Sequence, residues 1–137
     1  MITSVDTNVV SAIWSAERSA PALVAKLGLA RSSGAVLMSP VVFAELHAYP
    51  GADAAMVGNF ISATSITIDY RLLDEVWMEA GRCFAVYSVR RRQSGGGSPR
   101  GLLPDFVIGA HALIQADCLL TLDVDFYQQY FPKLKLC

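Results

Sequence analysis

The sequence predicts an α/β fold in which a mostly parallel sheet is covered by helices on both faces. Three observations carry this expectation. Short apolar or β-branched runs alternate with longer segments of helical spacing, the signature of strands joined through helical crossovers. Two of these runs, Ile2 to Val5 and Cys118 to Thr121, lead directly into acidic residues, as strands do where they stop at a ligand-binding sheet edge. A length of 137 residues, 53% of them hydrophobic, suits one domain with a sizeable core. No repeat or composition shift divides the chain, so residues 1–137 are expected to form a single domain.

The elements follow in order. Ile2 to Val5 is the first predicted strand, and Val9 to Trp14 the helix after it. Ser19-Ala20-Pro21 opens a second helix, with Pro in its first turn, running to about Arg31 before Ser32-Ser33-Gly34 breaks it. Val36 to Met38 forms a second strand, and Ser39-Pro40 starts a helix through Ala48. Pro50-Gly51 ends that helix, and a further one spans Asp53 to Ala63. Ser65 to Ile68 is β-branched enough for a third strand. From Tyr70 to Arg92, Leu73, Val76, Trp77, Ala80, Phe84 and Tyr87 recur at helical spacing and predict the longest helix. Gly95, Gly96 and Gly97 then interrupt the chain in a loop without the Lys-Ser/Thr of a phosphate-binding P-loop. A helix from Pro104 to Gln115, a strand from Cys118 to Thr121, a short helix near Phe126 and a strand from Leu134 to Leu136 complete the pattern, giving about five strands.

Composition narrows the class of function. No apolar stretch approaches the ~20 residues of a membrane-spanning helix, and the start shows no basic segment or cleavage site of a secretory signal. A cytoplasmic location is therefore expected. A mean hydropathy of +0.40 with only 17% charged residues points to buried protein–protein contacts, most simply a dimer. The net charge of −1 gives no overall attraction to nucleic acid, but Arg90, Arg91, Arg92 and Arg100 concentrate positive charge in one region. That run is either a phosphate-tracking patch or a solvated helix end favoured by the dipole. Cys83, Cys118 and Cys137 form no CxxC pair; the first two read as core residues.

The acidic residues carry the chemistry. Asp6 directly follows the first strand, with Thr7 and Asn8 beside it; it is either a ligand-binding acid or the cap of the next helix. Glu45 shares its helical face with Val41, Val42, Ala48 and Tyr49, where a carboxylate must reach water, be paired or be coordinated. Asp105 stands in the first turn of its helix, a position the dipole alone favours by ~0.3–1 kcal/mol. Gly109, one turn on, leaves room for a close neighbour or a ligand. Asp123 and Asp125 follow the strand ending at Thr121, Asp123 being the better ligand candidate and Asp125 the better helix cap. Two carboxylates ~4 Å apart repel by roughly 4 kcal/mol at an effective dielectric of ~20. Such acids either stay apart or hold a cation between them. An all-oxygen set selects Mg²⁺ or Mn²⁺ over zinc. His47 should point about 160° away from Glu45 on its helix, and neither it nor His111 completes a zinc or Ser-His-Asp pattern.

Taken together, Asp6-Thr7-Asn8, Glu45, the segment Pro104-Asp105-Phe106-Val107-Ile108-Gly109-Ala110-His111-Ala112 and Leu120-Thr121-Leu122-Asp123 resemble the four acidic motifs of PIN-domain ribonucleases. The length, and Asp125-Phe126-Tyr127 leading to Tyr130-Phe131-Pro132, resemble the VapC-type toxins of bacterial toxin–antitoxin pairs. The resemblance spans essentially the whole chain. It implies an α/β/α sandwich and an endoribonuclease dependent on Mg²⁺ or Mn²⁺. By the same resemblance Asp6, Glu45, Asp105 and Asp123 bind metal and carry catalysis. Asn8 and Thr121 support them by hydrogen bonds, Asp125 assists from behind, and Arg90, Arg91, Arg92 and Arg100 are candidates to track the RNA backbone. It further implies a homodimer, an antitoxin that covers the site, and inhibition of translation. Two departures stand out: the Gly95–Gly97 loop is long, and Leu122 replaces a residue that is often basic or polar. Alternatives from the same pattern are a PIN nuclease of RNA maturation without an antitoxin and, from another class, a phosphoacceptor or binding domain with an acidic Mg²⁺ pocket. The phosphoacceptor would want adjacent acids at the first strand end and a Lys at the last; Asp6 stands alone and the only lysines are Lys26, Lys133 and Lys135.

Overall fold

The central strand is the first one. In the computed structural model, which describes residues 1–95 and 103–137, β1 (Ile2–Val5) pairs in parallel with β2 (Ala35–Met38) on one side and β4 (Cys118–Leu120) on the other. β3 (Thr67–Ile68) extends the sheet beyond β2, so the strand order is β3-β2-β1-β4. Thr3, Ser4 and Val5 are all buried, as a strand covered on both faces requires. The chain steps outward from β1 to β3 and then returns across the sheet to β4. With right-handed crossovers the outward and return helices fall on opposite faces, which gives the α/β/α sandwich.

Seven helices connect and cover the strands among the described residues: α1 (Thr7–Trp14), α2 (Ala20–Ser33), α3 (Pro40–Leu46), α4 (Ala54–Thr64), α5 (Asp74–Gln93), α6 (Leu103–Gln115) and α7 (Val124–Tyr130). Their boundaries differ from the sequence expectation where a side chain intervenes. α1 begins at Thr7 rather than Val9 because Asp6 accepts a hydrogen bond from the Thr7 amide at 2.7 Å and so caps the helix. β3 loses its first two predicted residues: Ser65 adopts a left-handed conformation (φ 54°) at the end of α4, and pairing starts only at Thr67. α5 starts at Asp74 rather than Tyr70, since Asp69 is still bonded to β2 through Met38 O. The expected fifth strand reduces to a single parallel bridge between Leu119 and Leu136. The amide of Leu134 is committed to a turn with Phe131 O at 2.9 Å, so ladder bonds to Leu119 involve only Lys135 and Cys137.

The core between α5, α6 and α7 is aromatic. Phe106 is fully buried and its ring meets those of Phe84, Tyr87, Phe126, Tyr130 and Phe131 at centroid distances of 5.1–6.1 Å. Gly109 is the reason α6 approaches so closely: a Cβ there would sit 2.6 Å from Phe131 Cε2. The room at Gly109 is thus filled by a ring rather than by a ligand. His111 is fully buried on the opposite side of α6, its Nδ1 3.4 Å from Ser4 Oγ and its Nε2 3.0 Å from Asp69 Oδ2. Gln115 also donates to Asp69 and accepts from the Leu73 amide. This network ties α6 to β1 and to the segment before α5, and gives His111 a structural place. Cys83 and Cys118 are buried and all three cysteines are free thiols; burial pushes the Cys83 thiol up to about 11.

Candidate active site

At the carboxyl ends of β1 and β4 the sequence delivers two polar residues to one spot. Asp6 is 3% exposed and Thr121 is buried beside it. The Thr121 hydroxyl donates to Asp6 Oδ2 at 2.7 Å, and Asn8 Nδ2 donates to the same oxygen at 3.1 Å. With the Thr7 amide on Oδ1, the Asp6 carboxylate accepts three hydrogen bonds and has little freedom to rotate. Asn8 also accepts from the Leu122 amide at 3.0 Å, and Thr121 Oγ1 accepts from the Asp123 amide at 3.0 Å. The turn after β4 is therefore pinned to the first turn of α1.

Two further elements bring acids to the same place. Glu45, on the last turn of α3, is half-buried and accepts from the Thr7 hydroxyl at 2.6 Å. The carboxylate that looked misplaced on an apolar face thus has a partner across the site. Asp105, in the first turn of α6, is half-buried and has no hydrogen-bond partner among the described residues. Asp6, Glu45 and Asp105 line one open pocket of about 360 Å³ with Thr7, Asn8 and Leu122. Asp123 occupies the N-cap position of α7 without making a capping bond, exposed and outside the lining, but near enough for its charge to act on Asp105. Asp125 lies exposed in the first turn of α7, so the position expected of it as cap belongs to Asp123.

The electrostatics reflect this crowding. Burial raises the Asp6 carboxyl above its ordinary range; the hydrogen bonds lower it again in part, and Glu45 raises it further. Asp105 is pushed up to about 6, first by burial and then by the charges of Asp6, Glu45 and Asp123. Among the described residues no three Asp, Glu, His or Cys side chains stand close enough to chelate one ion without moving, which is how mutually repelling carboxylates settle. The groups available to a cation are all hard oxygens, the donor set of Mg²⁺ or Mn²⁺.

A pH-dependent stability follows from Asp105. Its folded-state pKa of about 6 exceeds the ordinary 3.8, so the folded chain binds the proton more tightly and loses stability as pH rises from about 4 to 6. In metal-free protein, Asp105→Asn should therefore be more stable than the parent above about pH 7, by about 1 kcal/mol once screening of this half-exposed group is allowed for. The gain should vanish by about pH 4. Urea unfolding in EDTA at both pH values measures it; an unchanged gain at low pH would show that charge is not its source.

The arginines at the end of α5 lie elsewhere. Arg90, Arg91 and Arg92 form the last turn of α5, and none lines the acidic pocket. The Arg90 guanidinium lies 5.5 Å from the centroid of the Tyr130 ring. Arg100, and Gly96 and Gly97 of the glycine loop, lie outside the described residues. Two features of this region have no signal in the sequence. Glu17 adds an exposed carboxylate to the rim, with no motif around it to mark it. Tyr127 on α7 is 1% exposed, and its hydroxyl has no hydrogen-bond partner among the described residues; in the sequence it reads as one more aromatic of the core.

The fold is thus a parallel α/β sandwich that gathers three carboxylates at the carboxyl edge of its sheet. The family model of the PIN domain matches residues 4–132, and the chain belongs to the PIN-domain family. Two of the solved structures that share the fold along its whole length are VapBC structures. One is VapBC2 from Rickettsia felis bound to a DNA fragment from their promoter, 22% identical with a TM-score of 0.70, covering 100% of this chain and 98% of that one. The other is VapBC-1 from nontypeable Haemophilus influenzae, 20% identical with a TM-score of 0.64, covering 100% and 97%. No curated protein sequence matches the chain.

Proposed function

We propose that this PIN-domain protein is a divalent-metal-dependent endoribonuclease and the toxin of a toxin–antitoxin pair. The observation that carries the reading is the convergence of Asp6, Glu45 and Asp105, from the end of β1, from α3 and from α6, on a single pocket. These three would hold Mg²⁺ or Mn²⁺, with Asp123 approaching from the rim. When bound, the cation would neutralise charge on the scissile phosphate and activate water against it. Asn8 and Thr121 keep the Asp6 carboxylate oriented, and Thr7 does the same for Glu45. Without a cation the same carboxylates repel a phosphodiester, so metal and substrate depend on each other. Arg90, Arg91, Arg92 and Arg100 are the groups proposed to follow the RNA backbone, and Asp125 to assist from behind the acids.

The partner side of the reading rests on the two solved relatives, both VapBC assemblies. An antitoxin covering the pocket, inhibition of translation and a cytoplasmic location belong to the same proposal. Among the described residues no helix is long and apolar enough to cross a membrane. Exposed Trp77, Met78, Val86 and Val89 on α5 offer unburied apolar surface for a homodimer. The phosphoacceptor alternative is not favoured, because none of Lys26, Lys133 and Lys135 lines the acidic pocket.

The deciding experiment is incubation of the purified protein with total cellular RNA in Mg²⁺ or Mn²⁺ and in EDTA. Discrete fragments that appear only with metal are expected. Intact RNA in every condition, from folded protein that binds metal, would overturn the nuclease reading.

A further inference from the structure

A second cavity, of about 540 Å³, opens between α5, α6 and the segment that follows α7. It shares no lining residue with the acidic pocket, and its volume is in the range of sites that hold a small ligand or one nucleotide. Leu113, Ile114, Phe131 and Pro132 give it apolar walls, while Glu79, Arg82 and Lys133 supply charge. Arg82 donates to Glu79 through Nε at 3.0 Å and Nη2 at 2.5 Å. The pair sits one turn apart with the arginine largely exposed, a setting in which ion pairs are worth little, so the guanidinium can turn to another anion. Tyr130 completes the lining and carries the Arg90 guanidinium 5.5 Å from its ring centroid.

These cations form a line that leads toward the acidic pocket. α5 and α6 run antiparallel: Tyr87 meets Phe106 at 5.5 Å, while Glu79 and Arg82 share the cavity with Leu113 and Ile114. Arg90 therefore lies toward the Asp105 end of α6, and Arg82 stands two turns back on α5, roughly 12 Å along its axis. A nucleic acid strand is repelled at the pocket itself by Asp6, Glu45 and Asp105, so affinity for it has to come from cations placed away from those acids. Apolar walls beside such cations suit the face of an unpaired base, which single-stranded RNA exposes.

We propose that the cavity between α5, α6 and segment 130–133 is an RNA exosite, which takes one unpaired base against its apolar walls and a neighbouring phosphate on Arg82 and Lys133. The proposal rests on the ribonuclease reading and extends it: the exosite holds the strand, and Arg90 leads it toward the acids.

The test is binding of a fluorescent single-stranded oligoribonucleotide in EDTA, where the proposed cleavage is absent and the acids offer no attraction. Lys133→Glu reverses a charge of the cavity, and Lys135→Glu makes the same change at an exposed residue that does not line it. Lys133→Glu is expected to raise the Kd about fivefold or more and to flatten its log–log salt dependence by about 0.7, the loss of one phosphate contact on a single strand. Lys135→Glu should change the Kd less than about twofold. A thiouridine-substituted strand should crosslink to the peptide that holds residues 130–133. Equal effects of the two variants, crosslinks confined to other peptides, or no RNA binding by the parent would each overturn the exosite. If the parent still cuts RNA in Mn²⁺, the ribonuclease reading survives that failure; a parent that neither binds nor cuts RNA sinks both. An acidic peptide bound through Lys133, with RNA indifferent to that residue, would assign the cavity to a protein partner and overturn the exosite as well.

Discussion

Asp6→Asn should yield a folded protein whose metal-dependent cleavage of RNA is reduced about a thousandfold or more, the equivalent of roughly 4 kcal/mol of transition-state stabilisation. The substitution removes the charge that a cation would share while keeping nearly the same volume. It also meets a hydrogen-bond conflict: Oδ2 of Asp6 accepts from both Thr121 and Asn8, and an amide nitrogen in its place faces two donors. Against that, the variant relieves the cost of burying a carboxylate beside Glu45. These opposing effects should leave stability within about 1 kcal/mol of the parent. Cleavage of total RNA in Mn²⁺, alongside circular dichroism, separates lost chemistry from lost fold. Parent-like cleavage by Asp6→Asn would remove Asp6 from the proposed site.

Phe106→Ala should cost about 3–5 kcal/mol of folding stability. The ring is fully buried and in contact with five other aromatic rings from α5, from α7 and from Phe131 just beyond it. Relaxation into the vacated space is hindered because Phe131 already presses on the backbone of α6 at Gly109. Phe106 directly follows Asp105 in α6, so cleavage should fall further than the unfolded fraction alone explains. Urea unfolding followed by tryptophan fluorescence measures the loss. A cost below about 1.5 kcal/mol, the range of well-tolerated core exchanges, would mean that the cluster repacks.

Much of the fold was legible because its signals are local. An apolar run that stops at an acid marks Asp6 at the end of β1, and Pro40 and Pro104 mark helix starts within a residue or so of α3 and α6. The boundaries that moved did so through contacts the local pattern does not contain. Asp6 lengthens α1 by capping it, and the turn at Leu134 consumes an amide that a fifth strand would need. Among the candidate acids, Asp6, Glu45 and Asp105 share a lining while Asp123 stays at the rim. That difference is set by how α7 leaves β4, over a turn held by Asn8 from the far end of the chain.

By itself the sequence determined that a parallel sheet carries acids at its carboxyl edge, because strand ends, caps and turns are decided by residues within a few positions of one another. It also determined the oxygen-only character of those acids. Packing alone brings the hydroxyl of Thr7 to Glu45 and sets His111 in a buried network with Ser4 and Asp69. These pairs are 38 to 107 residues apart or depend on which face of a helix meets the pocket. No spacing rule encodes them; they follow from the packing of aromatic rings around Phe106 and from the register of β4 against β1.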